Sequence, residues 1–281
     1  MKTALVFGGR TGLLGQALCR VLQEAKWQAI PLGRQDVDLW DRDALRALVA
    51  TTKPQAIFNA IAYTAVDRAE DDPQEAWRLN ALLPRLLGHA AGNAHLLHFS
   101  TDYVFDGRAS KPYTPTDPAN PQTVYGTTKW EGEQELTRLG LPRLTIIRTA
   151  WLFGPGKTNF VARILQLAAE QPVLRIVHDQ VGSPTYTLDL ARSSLALVDA
   201  AAYGTFHAVN AGEASWCELA SEAIHLAGIP CTIQPITSKD YPQRAKRPAY
   251  SVLDTTALTQ AAGITPRSWV IALREYVRTL R

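Results

Sequence analysis

The chain has 281 residues, of which 46% are apolar and 20% charged, and it carries a net charge of +3. Such a balance describes a globule with a sizeable core, arranged as one large α/β domain or two small ones. No block of Lys and Arg gives a nucleic-acid footprint, and no apolar run approaches the ~18 residues that a membrane span needs.

In chain order, "TALVFGG" (3–9) reads as a buried strand and 12–25 as a helix with Leu14, Leu18, Val21 and Leu22 on one side. A second strand follows at 28–33, a helix at 41–51 opening near Asp41, a third strand at 56–61 and a helix over 74–91. Residues 95–101 form a fourth strand, 122–139 a helix and 143–151 a fifth strand. Apolar strands alternating with helices of this length predict a parallel sheet with crossover helices. Beyond 150 the pattern loosens, with helices at 158–170, 187–201, 215–227 and 269–280 and short strands at 174–177, 204–209 and 231–236. The expected fold is a Rossmann-like, doubly wound parallel α/β sheet with a smaller C-terminal α/β substrate-binding part. The first part spans 1–150, joined by 187–209; the second spans 151–186 and 210–281.

The N-terminus enters the first strand without the charged and apolar segments of a signal peptide. Cys19, Cys217 and Cys231 are widely spaced, which argues against a disulfide framework or a zinc site and fits a reducing cytoplasm. A cytoplasmic location is therefore expected.

"FGGRTGLLGQAL" (7–18) joins the first strand to the first helix. Gly9, Gly12 and Gly15, with Arg10, Thr11, Leu13 and Leu14 between them, form a spacing variant of the dinucleotide fingerprint. Glycine allows the tight turn and the close approach of backbone N–H groups to a pyrophosphate. After the second strand, where an acid would bind the ribose hydroxyls of NAD, the chain reads Gly33-Arg34. Arg34, helped by Arg10, suits a 2′-phosphate, so NADPH is favoured while NADH stays possible. Asp38 and Leu39 stand where an adenine ring would rest, although Asp36, Asp38 and Asp41 also suit helix capping.

"VYGTTK" (124–129) places Tyr125 and Lys129 four residues apart at a helix start, hence on one face. An ammonium beside a phenol lowers its pKa of about 10, making the tyrosine a usable acid. "STDYVFDG" (100–107) ends the fourth strand, where ligands of open α/β sheets sit, and Thr101 there supplies a hydroxyl to a reacting oxygen. A solvated Tyr–Lys pair is a common accident of sequence; the glycine turn and the strand-end hydroxyls make catalysis the better reading.

On these motifs, with "NAIAYTAVDRAE" (59–70), "IRTAWLFG" (147–154), "DQVGSPTY" (179–186) and "RPAYSVLDTTAL" (247–258), the chain resembles the extended short-chain dehydrogenase/reductase superfamily over nearly its whole length. It looks most like the branch that reduces a 4-keto-6-deoxy sugar linked to dTDP. The resemblance implies Tyr125 as proton donor with Thr101 and Lys129, and Ala60, Ile61 and Ala62 along the cofactor. It implies Thr64, Val66, Thr101, Asp102, Tyr103, Tyr125 and Trp151 along the deoxysugar. Asn159, Gly182 and Arg247 would reach the nucleotide half, and Asn80 would brace the site. Related 4,6-dehydratases carry Thr-Asp-Glu where this chain has Thr101-Asp102-Tyr103, so elimination of water is not expected. Magnesium-linked dimers of the family use glutamates near the first helix; here Gln16 and Ala17 follow Gly15, so no metal is expected, and a monomer or weak homodimer is. An epimerase, a reductase of another nucleotide-linked 4-keto sugar, and a non-catalytic NADP-binding regulatory subunit stay open.

Overall fold

The computed structural model describes residues 1–280; residue 281, the last of the expected 210–281 segment, lies outside them. The N-terminal half runs β1 (Thr3–Phe7), α1 (Leu13–Glu24), β2 (Gln28–Leu32), α2 (Arg42–Thr52) and β3 (Ala56–Asn59). Then come α3 (Val66–Ala69), α4 (Pro73–Trp77), α5 (Leu83–Ala90), β4 (His95–Thr101), α6 (Val124–Arg138) and β5 (Leu144–Thr149). The remainder runs β6 (Leu152–Phe153), α7 (Phe160–Glu170), β7 (Val173–Val177), β8 (Val181–Gly182), β9 (Thr185–Tyr186), α8 (Thr187–Asp199) and β10 (Gly204–His207). It ends with β11 (Ala214–Ser215), α9 (Trp216–Ala227), β12 (Thr232–Ile236), α10 (Thr256–Ala262) and α11 (Trp269–Arg278).

Six strands form one parallel sheet in the order β10-β5-β4-β3-β1-β2. The chain starts at β1, steps outward to β2 and then crosses to β3, so the strand order reverses beside β1. That is where a doubly wound sheet opens a crevice for ligands. Side chains alternate between two cores because a strand has a period of two. Ala4, Val6, Phe58, Leu97 and Ile147 face Leu18 of α1, Leu197 of α8 and Leu273 of α11. Leu5, Phe7, Ile57, Leu96 and Ile146 face Leu45 of α2, Leu87 of α5 and Leu136 of α6. A satellite core joins α7 and α9 through Ile164, Leu174 and Ile224, beside the parallel pair β7 and β12. Among the described residues no helix is long and apolar enough to cross a membrane.

Three details differ from the sequence expectation for physical reasons. The first strand stops at Phe7 because Gly8 turns to φ +88°, and the fifth stops at Thr149, two residues before Trp151 at φ +47°. The helix expected over 74–91 widens into a π turn at Arg78–Leu82. Pro84 has no N–H for the carbonyl of Asn80, four residues earlier, and helix α6 closes on that carbonyl instead. A Cβ at Gly132 would lie 2.0 Å from Asn80 O, so only glycine fits that crossing. The short α3 and α10, and the two-residue strands, were too brief to leave a periodic signal.

Candidate active site

Helix α6 begins where several independent bonds fix it. The Thr123 hydroxyl accepts from Gly126 N at 3.0 Å, and Glu70 Oε1 accepts from Val124 N at 2.9 Å. Its first turn sits on the turn after β4: a Cβ at Gly126 would lie 2.2 Å from Tyr103 O. Tyr125 therefore projects over the end of β4, its ring edge-to-face with Tyr103 at 5.4 Å. Lys129, one turn on, is buried and donates from Nζ to the carbonyl of Phe99. Behind it, Asn80 in the π turn accepts from Tyr63 N at 2.8 Å and donates to Thr128 Oγ1 at 3.0 Å. This ties the loop after β3 to α6.

Tyr125, Lys129 and Thr101 line one cleft of about 590 Å³. Gly12, Leu13 and Leu14 form one wall, with Ala60, Ile61 and Ala62 beside them. Thr64, Val66, Asp102, Tyr103, Trp151, Asn159 and Arg247 complete the expected set that the structure brings together. The glycine turn is as tight as its spacing suggests, since a Cβ at Gly15 would lie 2.1 Å from Gly8 O. Gly12 caps α1 without a side-chain bond, and the first turn carries no acid, leaving N–H groups directed at the cleft. Ser100 Oγ and Thr149 Oγ1, buried at the ends of β4 and β5 on the cleft wall, have no partner among the described residues.

Burial governs the titrating groups. It pushes the Tyr125 phenol up to about 12, against the Thr101 hydroxyl, which pulls it down, while Asp102 adds to the rise. The expected lowering of the phenol by Lys129 does not appear: burial sets the direction, and it also lowers Lys129 to about 8 although Glu133 holds it up. Asp102, buried on the cleft wall, is raised by burial to about 6 despite hydrogen bonds from Ser251 and Thr101. Those bonds are 2.6 Å from Ser251 Oγ and 3.0 Å from Thr101 Oγ1.

Other expected residues stand apart from the cleft or are already engaged. Gly9 packs against Cys19 and Pro31 behind the turn. Arg10 and Thr11 are exposed on the turn, and Arg10 is bound through its guanidinium to Asp36. Arg34 and Asp38 line a separate groove beyond β2; Arg34 is exposed and 3.9 Å from Glu75. Asp38 Oδ1 accepts from Trp40 N at 2.9 Å, as a turn residue would, and Leu39 is buried in the core. Gly182 lies behind Trp151, where a Cβ would come within 2.6 Å of the indole, and so shapes the cleft only through that ring. Asn159 Oδ1 caps α7, and its Nδ2 donates to Gly154 O and Tyr276 Oη, both at 2.8 Å. Arg247 is held by Asp67 at 2.7 Å, and Arg244 by Asp71.

Sequence reasoning missed Trp216, whose ring stacks on Trp151 with centroids 3.5 Å apart, and Lys157 and Thr158, which also line the cleft. It also missed Ser251, although the serine lies inside the quoted "RPAYSVLD" segment, and Asp67 and His98.

Comparison with known proteins gives one consistent result. The model of the RmlD substrate binding domain family matches residues 1–281. A spore coat polysaccharide biosynthesis protein, SpsK, of Bacillus subtilis is 39% identical over 98% of this chain and 97% of its own length. A dTDP-4-dehydrorhamnose reductase of Streptomyces griseus is 42% identical over 95% of this chain and 90% of its own. The crystal structure of dTDP-4-dehydrorhamnose reductase from Bacillus anthracis in complex with NADP superposes with a TM-score of 0.95 at 30% identity, covering 99% of this chain and 100% of that one.

Proposed function

The chain belongs to the RmlD substrate binding domain family, and from that premise we propose that it reduces the C4 keto group of dTDP-4-dehydro-β-L-rhamnose to give dTDP-L-rhamnose. It is a sugar-nucleotide reductase that uses a nicotinamide cofactor, and its product serves polysaccharide synthesis. The observation that carries this reading is the convergence of Thr101, Tyr125 and Lys129 on the cleft that the glycine turn opens into.

The residues fit the cofactor. The uncapped start of α1 suits a pyrophosphate, Ala60–Ala62 leave room beside it, and the unpartnered hydroxyls of Ser100 and Thr149 suit polar groups entering over the strand ends. Arg34, exposed beyond β2, suits a 2′-phosphate and favours NADPH over NADH. When bound, the nicotinamide supplies the hydride that reduces the sugar carbon. Tyr125 gives its phenolic proton to the oxygen, which becomes the product hydroxyl. A phenol raised to about 12 is fully protonated at neutral pH and donates readily to a more basic alkoxide. Thr101, whose hydroxyl gives its proton to Asp102 at rest, would turn it to the same oxygen. Lys129, on the wall of the cleft, would hold the cofactor's ribose hydroxyls. Trp151, braced by Trp216, forms an apolar wall for the deoxysugar, and Arg247 faces the nucleotide half. The reading calls for no metal and a monomer or weak homodimer in the cytoplasm.

The test is NADPH absorbance with dTDP-4-dehydro-β-L-rhamnose and identification of the product. Rapid oxidation yielding dTDP-L-rhamnose is expected. Oxidation only with a different nucleotide-linked 4-keto sugar would move the assignment to that sugar. NADPH binding without turnover of any would favour a regulatory subunit.

A further inference from the structure

Lys129 meets β4 at two points. Its Nζ donates to the carbonyl of Phe99 and lies 3.3 Å from Nε2 of His98. His98 is completely buried, and nothing in the reaction above uses it. Its other ring nitrogen, Nδ1, is 3.1 Å from Nδ2 of Asn59, its register partner on β3. A neutral imidazole carries one N–H and one lone pair, so the neighbours decide which nitrogen has the proton.

Asn59 decides it. Its Oδ1 accepts from the backbone N–H of Ile61 at 3.3 Å, and a backbone N–H is always a donor. The amide is thereby oriented with its NH₂ toward His98. An NH₂ group offers only protons, so Nδ1 must accept, and the ring proton stands on Nε2, aimed at Lys129. An ammonium offers only protons as well and would face an N–H; an amine has a lone pair and accepts it. The imidazolium does not relieve the conflict, because burial alone holds the ring's pKa well below its ordinary value, and its Nδ1–H would also face the NH₂ of Asn59.

The charged groups around Lys129 leave this contact influential. On α6 the nearest are Tyr125 and Glu133, and the Glu133 carboxylate is held by Arg148 of β5 through three contacts of 2.8 to 3.2 Å. Asp102 follows β4 on the wall of the same cleft, and β3 contributes the neutral Asn59. Burial lowers the pKa of Lys129 to about 8, so the amine form prevails on the mildly alkaline side of that value.

We propose that His98 is a positioning residue for Lys129: fixed by Asn59 as the Nε2–H tautomer, it receives the lysine as an amine, and the lysine gains its proton when the nicotinamide cofactor brings hydroxyl acceptors. The inference rests on the reading of Lys129 as the cofactor-binding lysine. Cofactor binding is then coupled to proton uptake, and His98 sets the pH range of the coupling.

Two measurements test it. The first is ¹⁵N NMR of the histidine rings without cofactor, with His98 assigned by its loss in His98→Gln. A protonated Nε2 and a bare Nδ1 are expected; a protonated Nδ1 or an imidazolium overturns the proposal. The second is calorimetric titration of NADPH near pH 8.5, in buffers of different ionisation enthalpy, where a phosphate with a second pKa of ~6 is silent. Uptake of about half a proton or more is expected for the wild type. In His98→Gln the amide can turn its oxygen to the ammonium, so uptake falls toward zero. The same change raises the lysine's pKa, and the alkaline limb of kcat/KM moves up by about one pH unit. Binding without proton uptake in the wild type overturns the proposal. Absence of NADPH binding overturns the reductase reading instead, and the NMR result, obtained without cofactor, still decides the tautomer.

Discussion

The corner where α6 meets β4 and the groove beyond β2 both hold charged residues, and they hold them differently. In the corner, Lys129, Asp102, Glu133 and Arg148 are buried, and each has a specific partner. In the groove, Arg34 is exposed and 3.9 Å from Glu75, while Arg10 is tied to Asp36 near the surface. Burial is what separates them. Inside the corner it moves pKa values by whole units, and removing a partner strands a charge away from water. In the groove, water screens the same charges, and they are free to change partners when a ligand arrives. The proposed chemistry falls in the first region and the proposed cofactor discrimination in the second.

The sharpest way to break the contrast is Glu133→Gln, which leaves Arg148 buried without its carboxylate. Urea unfolding should show a loss of about 3–5 kcal/mol. A loss under about 1 kcal/mol would mean that the corner is wetter than its burial indicates.

Asp102 tests the same burial through pH. Its pKa in the folded protein, about 6, lies above the ordinary 3.8, so the folded state binds this proton more tightly than the unfolded state. Its contribution favours folding below the ordinary value and is lost as pH rises through about 6. Asp102→Asn removes that dependence. Its Tm relative to wild type should therefore rise between pH 4 and pH 7, by about the effect of a two-unit shift. An unchanged difference across that range would show that Asp102 titrates normally.

The smallest effect belongs to the groove. Arg34→Ala should weaken NADPH binding by about fivefold, leave NADH binding alone and not change the Tm. Equal losses for both cofactors would remove Arg34 from the discrimination of the 2′-phosphate.

The two regions also differ in how far they could be read from sequence. Gly12, Thr101, Tyr125 and Lys129 were legible because each sits at a strand end or helix start, where chain order alone fixes position. The alternating apolar runs gave the sheet for the same reason. Ser251 was not legible, because its bond to Asp102 joins residues 149 apart, and Asp67 meets Arg247 across 180. Trp216 opens an ordinary amphipathic helix, and only the fold reveals that its ring backs Trp151. The role of His98 needed the register of β3 against β4, which periodicity does not supply. The pKa of Tyr125 went the other way for a related reason: spacing showed a nearby cation, but not the burial that raises the phenol.

The central claim is that Tyr125 supplies the proton. The most direct measurement is kcat for NADPH oxidation with dTDP-4-dehydro-β-L-rhamnose in Tyr125→Phe, alongside the NADPH Kd of the same variant. A fall in kcat of about 10²–10⁴-fold with the Kd nearly unchanged is the predicted result. A variant that turns over at close to the wild-type rate would contradict it and return the proton to another group in the cleft.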